Sequence, residues 1–168
     1  MPRAPRPDVL LAAVLAVAML ASCGGGGPAS TGHQPPSREV QRLLVLVNEA
    51  RTQPRTCGAT AYAATQPLVA EQRLMAAAQR HSVDMHQHGF MSHTGSDGTS
   101  LQQRVEREGY SWARLGENVA WGYGSPEAVM GGWLSSPGHC ANIMRPEHTE
   151  IGLGLAGTHW TQVFARPR

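Results

Sequence analysis

The stretch Glu150-Ile-Gly-Leu-Gly-Leu-Ala-Gly-Thr-His-Trp-Thr-Gln-Val-Phe-Ala165 decides the fold class of this chain. Within it, Gly152-Leu-Gly154-Leu-Ala-Gly157 carries the letters of a dinucleotide-binding fingerprint. That fingerprint works only where a strand turns into a helix whose N-terminus faces a pyrophosphate. Here the chain runs on into a β-type stretch, with Trp160, Gln162 and Phe164 alternating against Thr161, Val163 and Ala165. Residues 150–155 and 159–165 are therefore read as strands, and the glycines as turn and close-packing positions in a sheet.

Upstream the apolar period changes from two to between three and four. Val40, Leu43, Leu44 and Val47 predict a helix over about 38–52, with Arg42 and Glu49 off the stripe. Leu74, Ala78, His81, Met85 and His88 share one stripe, widened by Ala77, and predict a second helix over 71–88 that Gly89 ends. Ser100 and Gln103 have capping-box spacing for a short third helix through Glu108. Ser125-Pro126 starts a fourth through about Trp133, and Ser136-Pro137 starts one more helical turn. A further strand is read at 117–121. Helices first and short strands later predict an α+β layered domain, not a βαβ parallel sheet.

With 168 residues, the chain has room for one domain of ordinary size. Hydrophobic residues make up 41% but aromatics only 5%, so Leu, Val, Ile and Ala must fill the core. A net charge of +2 on 14 cations and 12 acids is too balanced for a nucleic-acid surface. Every cation is Arg, which excludes a phosphate-loop lysine and a Schiff-base lysine. HExxH, GxSxG and cysteine-rich zinc spacings are all absent from the sequence.

Residues 1–22 read as a signal peptide: Arg3 and Arg6, then an uncharged apolar run from Val9 to Ala21 that is too short to span a bilayer. The run ends in Leu20-Ala21-Ser22-Cys23, which resembles the lipobox of bacterial lipoproteins. That resemblance implies cleavage before Cys23, lipidation of its thiol and anchoring to a membrane of the bacterial envelope, the outer membrane included. An unmodified cysteine is the alternative. Residues 23–37 then form the lipidated cysteine and a flexible tether, and 38–168 the folded domain. Assigning Cys23 to lipid leaves Cys57 and Cys140 as an even pair in an oxidising compartment, and a disulfide is expected between them. A catalytic thiol at Cys140, beside His139, is the rival reading.

His81, on the apolar stripe, reads as a hydrogen-bonded core histidine with Asp84 as partner, and His86 and His88 as surface or helix-end groups. The remaining assignments follow from a family resemblance. Asn48-Glu-Ala-Arg51, Leu74–Met85 (LMAAAQRHSVDM), Phe90–His93 (FMSH), Gly116–Val119 (GENV), Trp133–Met144 (WLSSPGHCANIM) and Glu150–Gly154 (EIGLG) follow in the order typical of bacterial CAP (SCP-like) proteins. The resemblance covers roughly residues 38–166 and implies an α-β-α sandwich with a small antiparallel sheet and a cleft holding two histidines and two acids. His93, Glu117 and His139 match three of these, whereas Ser136 stands where the pattern has its second Glu. Glu150 is a possible substitute carboxylate.

Two imidazoles and one carboxylate suffice for a three-ligand site for a divalent cation, zinc first, or for a general acid and base. They also suffice for a polar network that only ties sheet to helices. The expected function is therefore an envelope-anchored cleft binding a cation or an extracytoplasmic ligand. The alternatives are a hydrolase of peptide or cell-wall substrates, and a lipid or sterol carrier.

Overall fold

The computed structural model describes residues 36–168. The expected signal peptide, the lipid on Cys23 and most of the tether lie outside the described residues. Helix α1 spans Arg38–Arg51, its first turn capped by the Ser37 hydroxyl accepting from the Val40 N–H, and it buries Val40, Leu43, Val47, Ala50 and Arg51. A hairpin of β1 (Arg55–Cys57) and β2 (Thr60–Tyr62) follows, then the two-residue strand β3 (Val69–Ala70). Helix α2 (Gln72–His88) is capped by the Glu71 carboxylate and stopped by Gly89 at φ +65°. Helix α3 (Leu101–Arg107) has the reciprocal Ser100–Gln103 capping box. Strand β4 (Trp112–Trp121), helices α4 (Pro126–Ser135) and α5 (Pro137–Met144), and strands β5 (Glu150–Ala156) and β6 (His159–Pro167) complete the chain.

The main sheet runs β3-β5-β6-β4, antiparallel except for β3 beside β5. The two-residue parallel pairing of β3 with β5 is the one exception to the small antiparallel sheet that the family resemblance implies. Strands β1 to β3 are two or three residues long, too short for a period-two signal. Strand β4 begins at Trp112, five residues before the predicted start, because pairing with β6 recruits Arg114, Leu115 and Gly116, which show no alternation of their own.

Alternation in β6 now has a direction. Val163 and Ala165 join Leu74, Ala77 and Ala78 of α2 and Val105 of α3 on one face. Trp160 and Phe164 join residues of α1, α4 and α5 on the other, giving three layers. The close approach of α2 depends on two glycines of the opening motif. A Cβ on Gly152 would fall on the backbone of Leu74, and one on Gly154 on the backbone of Ala78. These glycines pack a helix against a sheet.

Cys57 and Cys140 are bonded, with Cα atoms 5.5 Å apart, joining the β1–β2 hairpin to α5. The bond removes Cys140 as a thiol nucleophile. Closing a loop with a sequence separation of 83 residues contributes about 4–5 kcal/mol in the chain-entropy account.

Candidate functional site

Strand β4 lies at the edge of the sheet, so side chains from both outer layers can meet over it. Successive residues of a strand point to opposite faces. Glu117 therefore faces the α2 layer with its cross-strand partner Val163, and Asn118 faces the α5 layer. His93 comes from the loop after α2, and His139 from α5.

The Glu117 carboxylate is buried, its side chain 3% exposed, and both of its oxygens are engaged. Oε1 accepts from His93 Nδ1 at 2.8 Å, and Oε2 from the Arg104 guanidinium at 2.6 Å. Arg104 is itself held, donating to the carbonyls of His93 and Thr99, each at 3.0 Å. The carboxylate requires a proton on His93 Nδ1, which leaves Nε2 unprotonated in the neutral ring. The His93 side chain is 59% exposed, and its Nε2 has no hydrogen-bond partner among the described residues.

The two histidines are displaced in opposite directions. The bond to Glu117 raises the His93 pKa against the smaller opposing effect of burial. Burial lowers that of His139, and positive charge on His93 lowers it further.

Behind them runs a second set of bonds. Asn118 Nδ2 donates to the His139 carbonyl at 3.1 Å and to Gln162 Oε1 at 2.9 Å. Asn142 Nδ2 donates to the Glu117 carbonyl at 3.1 Å and to Asn118 Oδ1 at 2.9 Å. The backbones of Glu117 and His139 are thus tied to each other through two amides, which fixes β4 against α5.

The structure brings His93 and Glu117 into direct contact and sets His139 across the edge strand. It does not assemble the three-ligand set His93, Glu117, His139. Both carboxylate oxygens are committed elsewhere, and among the described residues no three His, Cys, Asp or Glu side chains are grouped to hold an ion. Glu150 does not replace the missing acid, because its carboxylate accepts from the Tyr110 hydroxyl. His81 is buried as expected, but its Nε2 bonds the Ser92 carbonyl at 2.8 Å, while Asp84 is taken by Ser96 and His88.

Sequence reasoning missed Arg104, Asn118 and Asn142 as site residues. Arg104 is an ordinary basic residue on a short helix, and only the fold shows that its guanidinium is buried against a carboxylate. The Asn118–Asn142 pairing likewise depends on β4 meeting α5.

Comparison with known proteins gives the same outline. Uncharacterized protein YkwD of Bacillus subtilis (strain 168) is 35% identical over 101 residues, covering 59% of this chain and 39% of that protein. An extracellular protein containing a SCP domain from Bacillus anthracis superposes with a TM-score of 0.69 at 27% identity, over 76% of this chain and 40% of that one. An outer surface protein from Borrelia burgdorferi superposes at 0.67 with 21% identity, over 82% and 99%, and shares the fold. The chain thus spans about two fifths of the length of the two Bacillus proteins. No described helix is long and apolar enough to cross a membrane. The model of the cysteine-rich secretory protein family, CAP, matches residues 44–164, the span that contains every element of the cleft, and the chain belongs to that family.

Proposed function

We propose that the cleft along β4 is an extracytoplasmic binding site in which His93 and His139 together hold a divalent cation, and through it a polar ligand. One observation carries this reading, the hydrogen-bonded run Arg104–Glu117–His93. A carboxylate on the far nitrogen of an imidazole fixes its tautomer and raises the basicity of the nitrogen that remains, as outer partners do around metal-binding histidines. Arg104 holds the carboxylate in that outer position. The residues suit two imidazoles with water or ligand oxygens completing the shell of zinc or a similar borderline ion. They do not suit the three-ligand set. A bound cation would supply Lewis acidity to a coordinated ligand.

The test is calorimetric titration of zinc into the protein. Binding should be lost in His93→Ala and in His139→Ala and weakened about 10–100-fold in Glu117→Gln. Unchanged affinity in all three variants would refute the reading.

A second reading, hydrolysis of peptide or cell-wall substrates, draws on the opposed displacement of the two histidines. His93 retains a proton to higher pH while His139 stays neutral to lower pH, the pairing that general acid and base chemistry uses. Product release from isolated sacculi that requires both rings would support it, and the absence of any product would exclude it.

The Leu20-Ala-Ser-Cys23 run supports export and lipid anchoring in the bacterial envelope. The names of the two solved relatives, one extracellular and one an outer surface protein, agree with that setting. Membrane partitioning should disappear in Cys23→Ala.

A further inference from the structure

We infer that His86 and His159 form a separate metal site at the turn between β5 and β6, taking one borderline divalent cation of the copper(II), nickel(II) and zinc class. His159 opens β6 and is 3% exposed, yet neither of its ring nitrogens has a hydrogen-bond partner among the described residues. The Ala156 carbonyl lies nearby but does not meet hydrogen-bond geometry. A neutral imidazole carries one N–H and one lone pair, and burying both unpaired forfeits their hydrogen bonds to water with nothing in return. A polar group held in this way calls for a ligand.

The neighbouring residues supply the other half of a site. The ring of His86, on the last turns of α2, lies 5.5 Å from that of His159, centroid to centroid, tilted by 58°. Two imidazoles on one tetrahedral ion, each nitrogen about 2.0 Å from the metal, place their centroids about 5 Å apart. Gly157, at φ +57° in the turn, makes the approach possible. A Cβ there would sit 2.6 Å from His86 Cε1 and 2.7 Å from Nδ1, so the nitrogen-bearing edge of His86 occupies space that only glycine leaves open. His159 is also covered by Trp121, stacked at 5.0 Å and 18°, and 52% exposed to solvent.

Imidazole nitrogens favour copper, nickel and zinc over magnesium and calcium, with copper(II) bound most tightly. No carboxylate or thiolate joins the pair in a group of three among the described residues. Water would fill the other positions. Trp121 and His159 lie four residues along the β4–β6 ladder from Glu117 and Val163, about 13 Å at strand spacing. The site is therefore distinct from the cleft and does not rest on the function proposed for it.

Copper(II) chloride titrated into the purified protein tests this by two signals, Trp fluorescence and broadening of histidine ring resonances. We expect quenching together with broadening of His86 and His159. His86→Ala changes an exposed side chain and should fold normally, with both effects weakened at least tenfold, while His93→Ala should retain them. Broadening confined to His93 and His139 in the unmodified protein would overturn the inference and leave the cleft reading intact. Quenching of equal strength in His86→Ala would also overturn it. Loss of binding in His93→Ala alone would count for the cleft and against this site.

Discussion

Protonation of His148 should destabilise this domain in mild acid. The residue is 2% exposed, its ring stacks on Phe164 at 5.4 Å, and its Nδ1 donates to the Asn142 carbonyl at 3.1 Å. Burial pushes its pKa down to about 4, and the guanidinium groups of Arg145, Arg51 and Arg114 add to the penalty on a charge there. In the unfolded chain a histidine titrates near about 6.5. Between these values the unfolded chain binds the proton and the folded one does not, so stability rises with pH through this window and falls as pH drops from about 6.5 to about 4. At about 1.4 kcal/mol per pH unit the loss is about 3 kcal/mol, against a total of about 5–15 kcal/mol for an ordinary domain. Urea unfolding at about pH 7 and about pH 4.5 measures it, with His148→Gln as the reference. Gln can keep the bond to Asn142 but does not titrate, and every other titrating group is common to both proteins. His148→Gln should be less stable at neutral pH, yet lose about 2–3 kcal/mol less than the wild type on acidification. Equal losses, or a His148 ring whose NMR midpoint lies near about 6.5, would refute the reasoning.

Arg51 is fully buried and donates to the carbonyls of Gln66, Ile143, Arg145 and His148. Arg51→Met leaves at least the buried Ile143 and His148 oxygens without this donor and should cost about 2–5 kcal/mol, read as a lower urea midpoint at unchanged slope. Gly154→Ala drives a Cβ into the backbone of Ala78 and should cost about 1–3 kcal/mol or more by urea unfolding. Gly131→Ala, with open space around an exposed position in α4, should be neutral or stabilising by up to about 1 kcal/mol. If the two behave alike, the close-packing role of Gly154 is wrong. In metal-free Glu117→Gln the NMR midpoint of His93 should fall, since its chief support is that carboxylate. An unmoved midpoint would detach Glu117 from the chemistry of the ring.

What the amino-acid sequence determined alone was what neighbours in the chain control. The stripes of α1 and α2, the Ser100–Gln103 cap, the Gly89 stop and the alternation of β6 each arise from residues within a few positions of one another, where helix or strand geometry repeats. The Cys57–Cys140 pair was legible by count, because lipidation of Cys23 would leave no other partner. His93 and His139 were legible only as family motifs, since no period relates a loop after α2 to the first turn of α5.

Tertiary structure decided the rest. Whether Glu117 is a metal ligand or an outer partner depends on Arg104, thirteen positions away, reaching its second oxygen from α3. His148 and His159 looked like any other histidines in the sequence, but packing buries one against Phe164 and the other beneath Trp121. Burial and pairing of this kind are properties of the contact surface between layers. That surface exists only once α2 lies flat on Gly152 and Gly154 and β4 is in register with β6.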